Sequence, residues 1–234
     1  MGAGIQQSTT QQTGNPFADV VNVLYEPEAV FARVRERPSF LEPFAAIIAV
    51  QCVLFFLNLP YLSTAIKAQM ATAAAGRPIP STTILAIFGL VGLVIALGIV
   101  FLLTGLILWA LASVMGGGEA KFTTMLSVAT YAAVPATALL TIVGSIVLHL
   151  KGMDQLTSPQ DMQPALGLDL LVPGAKGFMG ALFKGINPFS IWGVVLTAIG
   201  VSTTQKMSKG TGYTIAIITF AIGPALHVRS RGGL

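Results

Sequence analysis

Long apolar runs, broken by short polar stretches, dominate this chain. The run from Thr82 to Met115 holds no charged residue at all. At ~1.5 Å of rise per residue it makes ~50 Å of helix, more than the ~30 Å hydrocarbon core of a bilayer requires. No turn dipeptide divides it, so the pattern predicts one long, tilted or protruding helix rather than two. Four further runs, at about 43–66, 122–150, 188–204 and 213–228, bring the expected count to five. The predicted fold is therefore all-α: a polytopic integral membrane protein with five transmembrane helices filling residues 41–234.

Ahead of the first run the periodicity changes. Residues 1–16 form a polar tail rich in Gly, Gln, Ser and Thr, with too little apolar surface to fold alone. Phe17, Val20, Val21 and Leu24 then fall at i, i+3, i+4 and i+7, one face of a helix. Pro27 suits a first helical position, and Val30, Phe31 and Val34 follow on one side. Arg33 and Arg37 share a face, with Arg35 elsewhere on the turn. Residues 17–40 thus predict an amphipathic juxtamembrane helix, lying apolar side down on the membrane or docked on the protein's own membrane domain. Phe31, Arg33, Arg35 and Arg37 are the candidate contact with lipids or a partner.

Within the spans, interruptions carry the information. Pro60 is expected to kink or end the first span near an interface, and Pro135 to kink the third. Gly92 and Ala96 offer a small-xxx-small surface for helix packing. The deepest strongly polar side chains are Gln51 and Asn58, each able to hydrogen-bond to a Ser or Thr of another helix. Cys52 reads as a small buried apolar side chain. Residues 151–187 form the one long connection, with Asp154, Asp161 and Asp169 expected to keep it soluble. Its two apolar pieces, 165–172 and 177–186, are too short to span and would lie at the interface or dip into it.

Composition agrees with the pattern. Apolar residues make up 54% and charged residues 9% of the chain, against about 25% charged in a soluble domain. The net charge of +4 comes from scattered basic residues without an extended stripe, so no nucleic-acid partner is expected. Orientation is barely decided by charge: Arg33, Arg35, Arg37, Lys121, Lys206 and Lys209 face one side. Lys67, Arg77, Lys151, Lys176, Lys184, Arg229 and Arg231 face the other. Residues 1–15 show no signal-peptide pattern, so the first span is expected to act as its own insertion signal. No Asp, Glu, Lys or Arg lies in the span cores, which argues against ion coupling and intramembrane catalysis. His149 and His227, at span ends, have no metal-ligand spacing and read as interfacial anchors. Trp109, Trp192 and Tyr213 also suit the headgroup level. No cofactor and no catalytic residue are expected.

Several segments carry a family resemblance. Leu24-Tyr25-Glu26-Pro27-Glu28-Ala29-Val30-Phe31, continuing through Arg33 to Pro38 and Pro43, resembles the opening of the Yip domain. Tyr131-Ala132-Ala133-Val134-Pro135 resembles that family's third-helix aromatic and proline. Asn187-Pro188-Phe189-Ser190-Ile191-Trp192, with Gly200 later, resembles its fourth-helix opening. The resemblance runs over about residues 20–228 and lies in the order and spacing of these elements more than in any one of them. It implies five membrane helices with a cytoplasmic N-terminus and supplies no catalytic residue. Eukaryotic members associate with Rab-type GTPases; the Ala- and Gly-rich composition here looks prokaryotic, so no Rab partner is expected.

Two functions fit these readings. One is a non-catalytic protein of the bacterial inner membrane, acting by helix packing and by contacts with lipids, other membrane proteins or its own copies, as in an accessory subunit. The other is a small permease or channel for an uncharged or lipidic solute.

Overall fold

The computed structural model describes residues 15–73, 81–116, 118–172, 174–175 and 177–231, with side chains except at 16, 72–73 and 223–231. Among these residues all regular structure is helical. Two short helices, α1 (Pro16–Asn22) and α2 (Pro27–Glu36), precede α3 (Leu41–Ala73) and α4 (Thr82–Met115). Helix α5 (Phe122–Ala132), a π-turn (Pro135–Leu139) and α6 (Leu140–Lys151) follow. After the connection come α7 (Gly177–Gly185), α8 (Pro188–Gln205) and α9 (Lys209–Arg231).

Local chemistry sets several of these starts. The Asn15, Ser81 and Asn187 side chains accept from the backbone N–H groups of Phe17, Ile84 and Ser190, capping α1, α4 and α8. Pro16, Pro27 and Pro188 open α1, α2 and α8, where a missing N–H costs nothing. Gly116 closes α4, and Lys206 closes α8 in a left-handed conformation.

The structure shows what becomes of the helix at each of the two prolines. Pro60 does not end the first span: α3 runs through it to Ala73. Proline removes one donor, whereas unwinding inside a bilayer would leave several backbone groups without water to bind them. The Pro60 carbonyl also accepts from Ser63 Oγ at 2.8 Å and Thr64 Oγ1 at 3.0 Å. At Pro135 the third span turns into π geometry, with the Leu140 N–H reaching back to the Pro135 carbonyl. The helix absorbs the missing proline donor by widening one turn.

Three stretches are long and apolar enough to cross a membrane: Leu41–Ala71, Thr82–Met115 and Phe122–Lys151. A fourth is reached if α7 and α8, bent by 72° to each other, count as one broken or re-entrant span. Taken alone, α8 ends in Ser202, Thr203, Thr204 and Gln205, which dilutes its hydropathy. The side chains of α9 are described only as far as Ile222, and those of the expected anchors His227, Arg229 and Arg231 lie beyond that.

The helices are packed at both ends. At one end, α2 meets α5 and α8, and Met207 lies over Gly116 at the end of α4. A core of Val30, Phe31, Met125, Val128, Leu196 and Val201 fills this end. At the other, Tyr61, Ala65, Leu148 and Leu156 form a second cluster that ties the long connection to α3 and α6. Two acids of that connection bind its own backbone. The Asp161 carboxylate accepts from both the hydroxyl and the backbone N–H of Thr157 and of Ser158. These bonds, that of the Thr157 hydroxyl foremost, hold its pKa down to about 2. Asp169 accepts from the Gly167 N–H at 2.9 Å.

Candidate functional site

The residues singled out in the sequence fall into three groups. The first is the junction between the N-terminal helices and the bundle. Phe31 is 0% exposed, with Val30 and Val34 buried beside it, so the apolar face of α2 is spent on its own protein. Of the two placements open for this segment, the structure has the docked one, and Phe31 has no surface left for lipid. Gly200 makes the docking possible. A Cβ there would lie 2.7 Å from Val128 Cγ1 and 2.9 Å from the Phe31 ring.

Charges hold the same junction. Arg33 donates twice to Asp19 of α1, from Nε to Oδ2 at 3.0 Å and from Nη2 to Oδ1 at 2.5 Å. This two-pronged bond pushes the guanidinium pKa above its already high value. Arg35 remains exposed and reaches the Thr203 carbonyl at 3.5 Å, and Lys209 meets Glu28 at 3.1 Å on the open surface. Exposed pairs of that kind contribute about 0–1 kcal/mol. Arg37 is exposed. Tyr131 lies in the adjoining core.

The outward side of this junction is apolar in part. Phe17, Val21 and Tyr25 are 60%, 55% and 76% exposed, while Asp19, Val20 and Val23 turn inward. The i, i+4 spacing of Phe17 and Val21 is visible in the sequence. Which half of the apolar set faces the protein is not, because the Asp19–Arg33 pair fixes the rotation of α1.

The second group stitches the spans together. Gln51 donates to the Thr137 carbonyl at 3.2 Å and to Thr141 Oγ1 at 3.0 Å. Thr137 lies in the π-turn opened by Pro135, so one side chain of α3 braces the irregular turn of the third span. Its carbonyl also accepts from the Leu140 N–H and from Thr141 Oγ1, and therefore keeps partners if Gln51 is lost. Gln51→Leu should accordingly lower stability by only about 1 kcal/mol, read as a small drop in melting temperature in detergent. A drop corresponding to several times that would give Gln51 a larger part than bracing. Asn58 Oδ1 accepts from Ser145 Oγ at 2.9 Å.

The third group is not brought together. Gly92 and Ala96 are exposed, and a Cβ on Gly92 would meet nothing within 4 Å. The close helix approaches use other glycines, among them Gly105 against Leu126, Gly200 and Gly212. Small-xxx-small spacing marks a surface that can be approached closely, and this one is not covered from within the chain. Among the described residues no group of three or more His, Cys, Asp or Glu could hold a metal ion.

Comparison with known proteins agrees with this architecture. Residues 21–228 match the family model described as the Yip1 domain. The chain is also 28% identical over 228 residues to membrane protein YknW of Bacillus subtilis (strain 168), covering 95% of this chain and 93% of that protein. No solved structure matches. With a match that takes in α2 and the apolar helices after it, the chain belongs to the Yip1 domain family and is an integral membrane protein.

Proposed function

We propose that this chain is a non-catalytic accessory subunit of a bacterial inner-membrane complex, with its N-terminus in the cytoplasm. It works by offering a packed helical surface to lipids and to a partner membrane protein. The observation that carries this reading is the state of α4. Its most apolar window has a mean hydropathy of 3.0 and is only 6% buried. One stripe (Phe101, Gly105, Leu108 and Ala112) meets the bundle, while Phe88, Ile95, Ile99 and Leu106 face outward. Such a helix is covered by lipid or by another helix.

Support also comes from the N-terminal end. Phe17, Val21 and Tyr25 are exposed apolar side chains, and Arg35 and Arg37 are exposed further along the same N-terminal segment. Exposed apolar and basic groups in one short segment suit a headgroup boundary. The lipid contact thus passes from Phe31 to α1.

The test is purification of the full chain from its native membrane in mild detergent, with a photo-crosslinking residue at Phe88 or Ile95. Recovery of a membrane protein in fixed stoichiometry, crosslinked through α4, is expected. Crosslinks to lipid alone, with no co-purifying subunit, would remove the accessory role.

A further inference from the structure

The long connection ends in two apolar pieces that the fold ties together. The first closes in a 3₁₀ turn (Leu168–Leu170), and the second is α7. The Leu168 N–H donates to the Ile186 carbonyl at 3.0 Å, just past the end of α7. Gly167 permits that approach, since a Cβ there would lie 2.6 Å from the same carbonyl oxygen and 2.9 Å from that of Phe183. Leu168, Leu170, Leu171, Val172, Phe178 and Met179 are all exposed. That many large apolar side chains within about a dozen residues make a patch unsuited to water. At about 3.6 residues per turn, Lys184 falls on the side of α7 opposite Phe178 and Met179. The short helix is amphipathic.

Helix lengths fix the depth of these pieces. Leu156 of the connection packs with Tyr61 and Ala65 of α3. From Leu41, where α3 starts, to these two residues is roughly 20–24 residues, ~30–36 Å of helix. From the other side, α8 leads back from the α7 bend to the α2 end in 18 residues, ~27 Å. Both lengths match a hydrocarbon core of ~30 Å, so the connection lies about one core thickness from the α2 end. Lys67 on α3 and Lys151 at the end of α6 are exposed at this level, as headgroup anchors would be. The axis of α7 is bent 72° from that of α8. Beside an upright α8 it lies within about 20° of the membrane plane. Its nine residues, ~13 Å, are too few to cross.

We propose that α7 and the 3₁₀ turn lie flat in the headgroup layer of the leaflet away from α2, with Leu171, Phe178 and Met179 among the first acyl carbons. The occupant of the patch is the bilayer, because the patch continues the lipid-facing surface of the spans. Leu150 and Met153, where α6 passes into the connection, are exposed as well. An amphipathic helix in the interface plane needs an apolar side and a polar one, and α7 has both. The placement is independent of the accessory-subunit reading, since α4 plays no part in it.

The test is spin labelling of the full chain in nanodiscs of phosphatidylglycerol and phosphatidylcholine. Cys52→Ala removes the native thiol, and Leu171→Cys, Phe178→Cys, Gln160→Cys and Val53→Cys are made singly in that background. All four of these side chains are exposed, so the labels leave the packing intact. Collisions with oxygen, which concentrates in hydrocarbon, are compared with those of a water-soluble nickel chelate, which hydrocarbon excludes. The oxygen-to-nickel ratio at 171 and 178 should exceed that at 160 about tenfold, and stay below that at 53, midway along the first span. A ratio equal to that at 160 would make the segment a water-facing loop. A ratio equal to that at 53 would make it a re-entrant dip, and shielding from both reagents would mean that protein covers it. Any of these three results overturns the proposal.

Discussion

Phe31→Ala is expected to release the N-terminal helix pair from the bundle, at a cost of about 3–5 kcal/mol. The ring is fully buried, and it sits over the bare backbone of Gly200 against Val128. Truncation removes its contacts with α8 and α5 together and leaves a void that two rigid helices cannot close. Val30 and Val34 stay buried beside it, but both are smaller than the ring, and the polar ties of α2 to the bundle are weak: Arg35 to the Thr203 carbonyl at 3.5 Å, and Lys209 to Glu28 on the open surface. Melting in detergent should fall by many degrees, and trypsin should cut sooner after Arg33 and Arg35. Gly200→Leu should reproduce both effects from the opposite side of the contact, since its side chain must occupy the place of the ring. If Phe31→Ala melts and digests as wild type does, the docked position of α2 contributes nothing to stability.

How far the sequence could be read depended on the range of the interaction involved. Helices written in local periodicity were legible: the run from Thr82 to Met115 and α4 share both ends, and Asn187-Pro188 opens α8. The apolar face of α2 was legible too, because Val30, Phe31 and Val34 follow helical spacing. What that face meets was not. Phe31 depends on Gly200, far away in the chain, and Arg33 on Asp19 in a separate helix; neither spacing is periodic. Pro135 announced an irregularity, but not its form as a π-turn, nor that Gln51 of another helix would bond to it. The long connection had too little apolar periodicity to reveal Leu156 as its buried anchor or Asp161 as its cap. Gly92 and Ala96 show the reverse failure: small residues at packing distance define an opportunity, and sequence spacing does not say whether anything takes it.

The same contrast supports a prediction with a built-in control. A Cβ on Gly212 would lie 2.0 Å from Ser202 Oγ and 2.6 Å from the Ala198 carbonyl oxygen. The hydroxyl could rotate away, giving up its bond to the Ala198 carbonyl. The carbonyl itself belongs to the backbone of α8 and cannot, so α8 and α9 must move apart. In a bilayer, helix association rests on close van der Waals packing, and lipid tails offer apolar side chains as good a solvent as protein does. Separation therefore gains nothing in return. Gly212→Ala is expected to cost about 2–3 kcal/mol, and Gly212→Val to abolish the α8–α9 pairing. The reading is melting in detergent together with protease access to the turn at Lys206. Gly92→Val, made beside it, should leave both measurements at wild-type values, because its surroundings are empty of protein. Both positions are helical, so a loss confined to Gly212 comes from packing and not from the helix preference of valine. A Gly212→Val protein as stable as wild type would mean that α9 does not rest on α8 at this distance.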